Sequence, residues 1–241
     1  MNSQKVECPE EQLWKAALND NETVITMYDG DINAETPLGN TALHIAASGG
    51  CLNAVKALLN RGVKVDCIDK DSLTPLFKAV KGGNQEIACH LLYKGADFSI
   101  LDSEGATLLH HAAHKGMTKF LQQLLEKQKV DPLSKDSSGQ LPLHMACSGG
   151  HVDIVKILLA CNGGQVDCIA DESKYTPLHE AAFWGRKKVV KFLLENHASI
   201  NAKTALNQTP LTLAKICGHT YVSELIRSRG GILEGESNTL S

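Results

Sequence analysis

Four histidines occupy equivalent places in the chain: His44, His110, His144 and His179 each stand fourth in a tetrad opened by Thr or Leu. Imidazole is the commonest general base and a frequent zinc ligand, so the recurrence invites a catalytic or metal reading. Their spacing argues otherwise. Each is about one repeat period or a multiple of it from the next, so each belongs to its own unit and is expected to bond the backbone of a neighbouring loop. His110, His111 and His114 form a denser cluster, and i, i+4 spacing places two imidazoles on one helical face. No Cys or carboxylate stands nearby at ligand spacing, and His110 is already committed to its tetrad. A metal is therefore not expected. There is no Gly-rich phosphate loop before Lys-Ser/Thr, no Cys-x-x-Cys and no nucleophile elbow. Gly49-Gly50, Gly82-Gly83 and Gly149-Gly150 recur at the repeat period and read as turns. No catalytic residue, cofactor or enzymatic activity is expected.

The elements that must carry these histidines follow from the tetrad itself. Thr176-Pro177-Leu178-His179 has siblings beginning at Thr41, Thr74, Thr107, Leu141 and Thr209, at steps of 33, 33, 34, 35 and 33 residues. A fixed period of this length means a repeat architecture. Thr is a good N-cap and Pro suits the first helical position. Ala181 and Ala182 let a neighbouring helix come close, and Gly185 ends the first helix after about two turns. Val189, Val190, Phe192, Leu193 and Leu194 then form the apolar stripe of a second helix. Ala198 to Ala202 reads as an extended segment. Helices this short are marginal alone, so units must stack to bury one another's faces.

The pattern D-x-x-G-x-T-P-L-H-x-A-A-x-x-G followed by an apolar helix resembles the ankyrin repeat. Asp102-Ser103-Glu104-Gly105 and Asp136-Ser137-Ser138-Gly139 match its turn. Ala46-Ala47-Ser48-Gly49-Gly50, Ala112-Ala113-His114-Lys115-Gly116 and Ala181-Ala182-Phe183-Trp184-Gly185 match the end of its first helix. The resemblance spans about residues 10 to 230. It implies an all-α repeat solenoid of helix-turn-helix units with β-hairpin loops, about seven including caps, in one elongated domain. Residues 1–9 are expected to be loose, 10–34 to form an N-terminal capping unit, and 35–68, 69–101, 102–135, 136–170 and 171–203 to be repeats. Residues 204–229 would be the C-terminal cap and 230–241 a flexible tail. One extra residue falls near 128–132 and two near 161–165. In the third unit Ser72 replaces the turn Gly and Phe77 the His.

Composition sets the compartment and excludes some partners. Net charge is −3 with 43% apolar residues, so neither a nucleic-acid surface nor an anionic-membrane surface is expected. No run of 18 apolar residues exists, and Met1 to Glu11 lacks a secretory core. Most of the eight cysteines fall at small apolar repeat positions, Cys147 at the second Ala and Cys67 and Cys168 at equivalent loop places. This reads as a reduced, monomeric cytoplasmic protein, with nuclear residence also open. Arg186-Lys187-Lys188 reads as a solvated helix start.

The resemblance implies protein binding through a concave face and the loop tips. It places the contact positions at the pair after Ala-Ala (Ser48-Gly49, Lys81-Gly82, His114-Lys115, Ser148-Gly149, Phe183-Trp184, Lys215-Ile216) and at the residue before Thr (Asn40, Leu73, Ala106, Gln140, Tyr175, Gln208). The chain has two Trp, four Tyr and five Phe, and the sixth unit places Tyr175, Phe183 and Trp184 on one expected patch. Such residues are favoured interface anchors. Lys174, Glu180 and Arg186 are expected to rim it. The patch would extend over Gln140, Met145 and Ser148 to His111, His114 and Lys115. The other reading has Phe183 or Trp184 folding back as core. The resemblance also implies that Asn33 or Asn201 could be a substrate of an asparaginyl hydroxylase, whereas the residues alone suggest turn-stabilising side chains. The function expected is a stand-alone, non-enzymatic scaffold or adaptor. The alternative is a regulatory or inhibitory subunit of a kinase or proteasome-type complex, or a transcription-factor retainer.

Overall fold

The computed structural model describes residues 8–127 and 130–236, and these hold fourteen α-helices and no strand. The chain divides into two compact bodies at Ser103/Glu104. The cut falls in the turn that opens the unit expected at 102–135. This is natural where each unit contacts only its neighbours.

The first body pairs α1 (Pro9–Leu18) with α2 (Glu22–Met27), α3 (Ala42–Gly49) with α4 (Leu52–Asn60), and α5 (Pro75–Lys81) with α6 (Gln85–Tyr93). The second pairs α7 (Leu108–Lys115) with α8 (Thr118–Leu125), α9 (Pro142–Gly149) with α10 (Val152–Cys161), α11 (Pro177–Phe183) with α12 (Lys187–Glu195), and α13 (Pro210–Ile216) with α14 (Thr220–Ser228). Within each body the inner helices pack on one another in order, α1 on α3 on α5, and α7 on α9 on α11 on α13. The Ala pairs make this approach possible: Ala46, Ala47, Ala112, Ala113, Ala181 and Ala182 have no exposed surface. Pro9 opens α1, because its fixed φ suits the first helical position. Residues 1–7 of the expected loose N-terminus lie outside the described residues, as do 128 and 129 of the fourth unit's insertion.

The loops are less regular than the expected hairpins. Most close through a single backbone bond, as in Thr36 N–H to Asn40 O (2.9 Å), Asp136 N–H to Gln140 O (3.0 Å) and Thr204 N–H to Gln208 O (3.0 Å). The segment read as extended at 198–202 is a turn, closed by Ala202 N–H to Ser199 O at 3.1 Å. Nor is the chain released at Gly230. Asn201 donates to Gly230 O and accepts from Ile232 N–H, while Thr209 Oγ1 donates to Ile232 O at 2.7 Å. Arg227 then clasps Glu236, so 230–236 are held against the last helix pair.

The turn glycine has a measurable job. Gly39, Gly105 and Gly139 all have φ near +70°, and the equivalent places in other units hold Ser72 (+59°), Lys174 (+55°) and Asn207 (+61°). A side chain in this left-handed region costs roughly 1–2 kcal/mol, with Asn affected least. Lys174→Gly and Ser72→Gly are therefore each expected to raise stability by about 0.5–1 kcal/mol, after allowing for the entropy glycine adds to the unfolded chain. Gly139→Ala should do the reverse, since its Cβ would lie 2.5 Å from the Asp171 amide nitrogen. Urea midpoints of the three variants check the order; a Lys174→Gly variant weaker than the wild type would contradict it.

Candidate protein-interaction surface

The tetrad histidines hold the loops, as their spacing suggested. His144 shows the geometry: Nδ1 accepts from Leu141 N–H at 3.1 Å, so Nε2 carries the proton and donates to Cys168 O and Tyr175 O, both at 3.2 Å. His44 reaches Leu73 O, His110 reaches Gln140 O, and His179 reaches Gln208 O and Ala202 O in the same way. The bonds to Leu73, Gln140, Tyr175 and Gln208 each tie one unit to the residue before the next unit's tetrad. Burial drives the His144 imidazole down to about 4, and it lowers His44 and His179 as well. The pre-tetrad residues are less exposed than expected. Leu73 and Ala106 are buried, and Asn40, Gln140, Tyr175 and Gln208 are half-buried.

Two further ties between units escaped the sequence reading. The residue preceding α6, α10, α12 and α14 reaches back to the C-terminal carbonyls of the previous inner helix. Asn84 Nδ2 donates to Ala47 O and Ser48 O, His151 Nε2 to His114 O, Arg186 Nε to Ser148 O at 2.6 Å, and His219 Nε2 to Phe183 O at 2.9 Å. These donors satisfy carbonyls that a helix end leaves open. The second tie runs forward from the loops: Asn33 Oδ1 accepts Lys64 N–H, Asp66 accepts Asp97 N–H, Asp167 accepts Ser199 N–H and Asn201 accepts Ile232 N–H. Asn33 and Asn201 therefore fasten the next segment rather than only their own turn. The only sequence signal was that an Asn or Asp recurs there, about one period apart.

The expected contact positions are mostly exposed. Ser48-Gly49, Lys81-Gly82, His114-Lys115, Phe183-Trp184 and Lys215-Ile216 face solvent, whereas Ser148 is buried. It is covered because His114 Nδ1 meets its hydroxyl at 3.2 Å and Arg186 takes its carbonyl. His114, Ser148 and Arg186 thus link the fourth, fifth and sixth units in one chain of contacts, with Ser148 donating on to Met145 O. Burial lowers the His114 pKa, and the positive charges of Lys115, His151 and Arg186 add to the effect.

In the sixth unit Phe183 and Trp184 are 36% and 50% exposed, so neither folds back as core. Their rings meet edge to face at 5.3 Å between centroids. The Tyr175 ring is half-buried and lies instead 5.5 Å from the His179 ring. Between Tyr175 and the pair in sequence lies Glu180. It was expected at the rim, yet it is only 7% exposed. The reason is helical: Glu180 lies in the first turn of α11, whose residues from Pro177 to Ala182 are all buried. Burial lifts its carboxyl to about 7, partly opposed by the Trp184 indole, and burial, with the Glu180 charge adding, raises Tyr175. Lys174 is exposed in the preceding turn. Among the described residues no group of three or more His, Cys, Asp or Glu is placed to hold a metal, and no helix is long and apolar enough to cross a membrane.

Comparison with known proteins agrees with this architecture. A family model described as ankyrin repeats (three copies) matches residues 13–102, 81–167 and 109–204. The chain is 32% identical over 192 residues to human SH3 and multiple ankyrin repeat domains protein 2, covering 79% of the chain and 10% of that protein. It is 32% identical over 225 residues to the human transient receptor potential cation channel subfamily A member 1, covering 89% and 20%, and 29% identical to mouse rabankyrin-5, covering 75% and 16%. The chain thus spans a fifth or less of the length of these relatives. Among solved structures, the human ASB11 ankyrin repeat domain superposes with a TM-score of 0.75 at 28% identity, covering 91% of this chain and 98% of that one. The family model spans residues 13–204, most of a chain built of paired helices at a steady period: the chain belongs to the ankyrin-repeat family.

Proposed function

We propose that the protein is a non-enzymatic adaptor that binds a partner protein on the inner-helix side of its second body, centred on the sixth unit. Ankyrin repeats are a general protein-interaction module. The observation that carries the placement is the exposed Phe183–Trp184 pair at a position that is small or polar in most other units. Aromatic anchors of this kind dominate interface energies, and a rigid repeat face loses little entropy when it binds. Tyr175 and Gln140 flank the pair, with Met145, His111, His114 and Lys115 extending the surface toward the fourth unit. A regulatory subunit acting by blocking an enzyme's surface would use the same face. The cysteine pattern supports a reducing cytoplasmic or nuclear setting: Cys147 and Cys51 are buried as small core residues and all eight thiols are free.

The test is a lysate pull-down comparing the wild type with a Tyr175→Ala, Phe183→Ala, Trp184→Ala variant. Because Phe183 and Trp184 are exposed, their truncation should cost stability no more than about 1 kcal/mol. At least one captured protein should be lost from the variant. Identical partner lists from two chains that melt alike would move the interface elsewhere.

A further inference from the structure

Glu180 is an anomaly in the surface just described. A carboxylate removed from water normally acquires a cation or several donors. Among the described residues no Lys, Arg or His side chain pairs with Glu180, and the Trp184 indole is what approaches it. Cations close in sequence are engaged elsewhere. Arg186 Nε is held on Ser148 O at 2.6 Å, and the Lys187 ammonium lies 5.4 Å from the centre of the Tyr221 ring. Glu180 is buried, yet one helical turn on, where Trp184 N–H bonds Glu180 O at 3.0 Å, the exposed indole stands with Phe183 edge-on to it. Neutral apolar cargo would leave that charge still unpaired and better desolvated, which disfavours it. A cation would be drawn both to the aromatic faces and to the carboxylate beneath them.

We infer that the Tyr175–Glu180–Phe183–Trp184 surface is a receptor for a basic side chain, the Arg or Lys of a protein partner, which pairs with Glu180 and stacks against Trp184. This rests on the proposed placement of the interface and adds the chemistry of what enters it. The cation supplies the counter-charge that α11 lacks, and Glu180 discriminates against an apolar residue of similar length by refusing to be buried unpaired.

The experiment uses the full chain and three Gly/Ser peptides of about ten residues, differing only in a central Arg, Lys or norleucine. Binding is followed to millimolar concentration through the Trp184 indole N–H signal in NMR spectra. Arg or Lys peptides should bind at least about fivefold more tightly than the norleucine peptide, consistent with a desolvated cation–π contact and an ion pair. In Glu180→Gln, which keeps the shape and removes the charge, that ratio should fall to about one. Equal binding of norleucine, no movement of Trp184 with any peptide, or an unchanged ratio in Glu180→Gln would each overturn the assignment. The pull-down separates this from the broader reading. A partner lost from the triple-alanine variant but kept by Glu180→Gln would sink the basic-residue receptor and leave the interface standing. A partner list unchanged in the triple variant would sink both.

Discussion

His144→Ala is expected to destabilise the second body by about 3–5 kcal/mol, enough to consume much of the 5–15 kcal/mol typical of a domain. The side chain has no exposed surface. Its removal opens a cavity and leaves the buried Leu141 N–H without the acceptor that His144 Nδ1 supplies at 3.1 Å. Each such orphaned group costs about 1–3 kcal/mol. Leu141 stands where other units place Thr, so no hydroxyl can replace the lost cap. The loss also frees Cys168 O and Tyr175 O, loosening the loop that carries Tyr175. The third unit shows what volume alone can do, since Phe77 fills the equivalent place and is fully buried. His144→Phe should accordingly cost less than His144→Ala, and its remaining deficit measures the bonds. Urea unfolding followed by circular dichroism reads both. A loss below about 1 kcal/mol for His144→Ala would mean the imidazole is not a tie between units.

The parts of this molecule that were legible in the sequence are those that repeat. Thr-Pro-Leu-His at a steady period specified helix starts because capping and proline geometry act within one turn, and α5, α9, α11 and α13 each begin at the proline of their tetrad. The tetrad histidines were legible for the same reason. What stayed hidden depends on which face of one unit meets the next. Glu180 was read as a rim residue, since a charged side chain near an exposed aromatic pair ordinarily reaches water, and only the packing of α11 between α9 and α13 shows it buried. Arg186 was read as part of a solvated helix start, but its Nε closes the C-terminus of α9. Ser148 follows the Ala-Ala position and should have been exposed; two side chains from flanking units, neither predictable by period, cover it. The aromatic pair was legible as a departure from the repeat, two aromatic residues at a position that is small or polar in most other units.

Glu180→Gln is expected to make the protein more stable near pH 7.5, by about 2 kcal/mol, and more sensitive to acid. The signs follow from linkage. The Glu180 carboxyl sits near 7 when folded, against an ordinary value of 4.5. Between those limits the folded chain binds the extra proton, so Glu180 adds stability as pH falls and withdraws it as pH rises. His144 works in the opposite direction over nearly the same window. Its folded value is about 4 against 6.5, so its contribution is whole above about pH 6.5 and is lost as pH falls toward 4. From pH 7 to 5 each amounts to roughly 2 kcal/mol, with opposite sign. Burial lowers His44 and His179 too, which adds to the acid loss. The wild type should therefore soften gently over this range, and Glu180→Gln should lose about 2 kcal/mol more, because the compensating carboxyl is gone. Urea midpoints at half-unit pH steps give both curves, and their difference isolates Glu180, since the histidines are common to the two. Parallel curves would show that Glu180 is charged and solvated at neutral pH. Divergent ones would establish that folding lifts the Glu180 carboxyl above its ordinary range, so that its ionisation near neutral pH is a standing cost in stability.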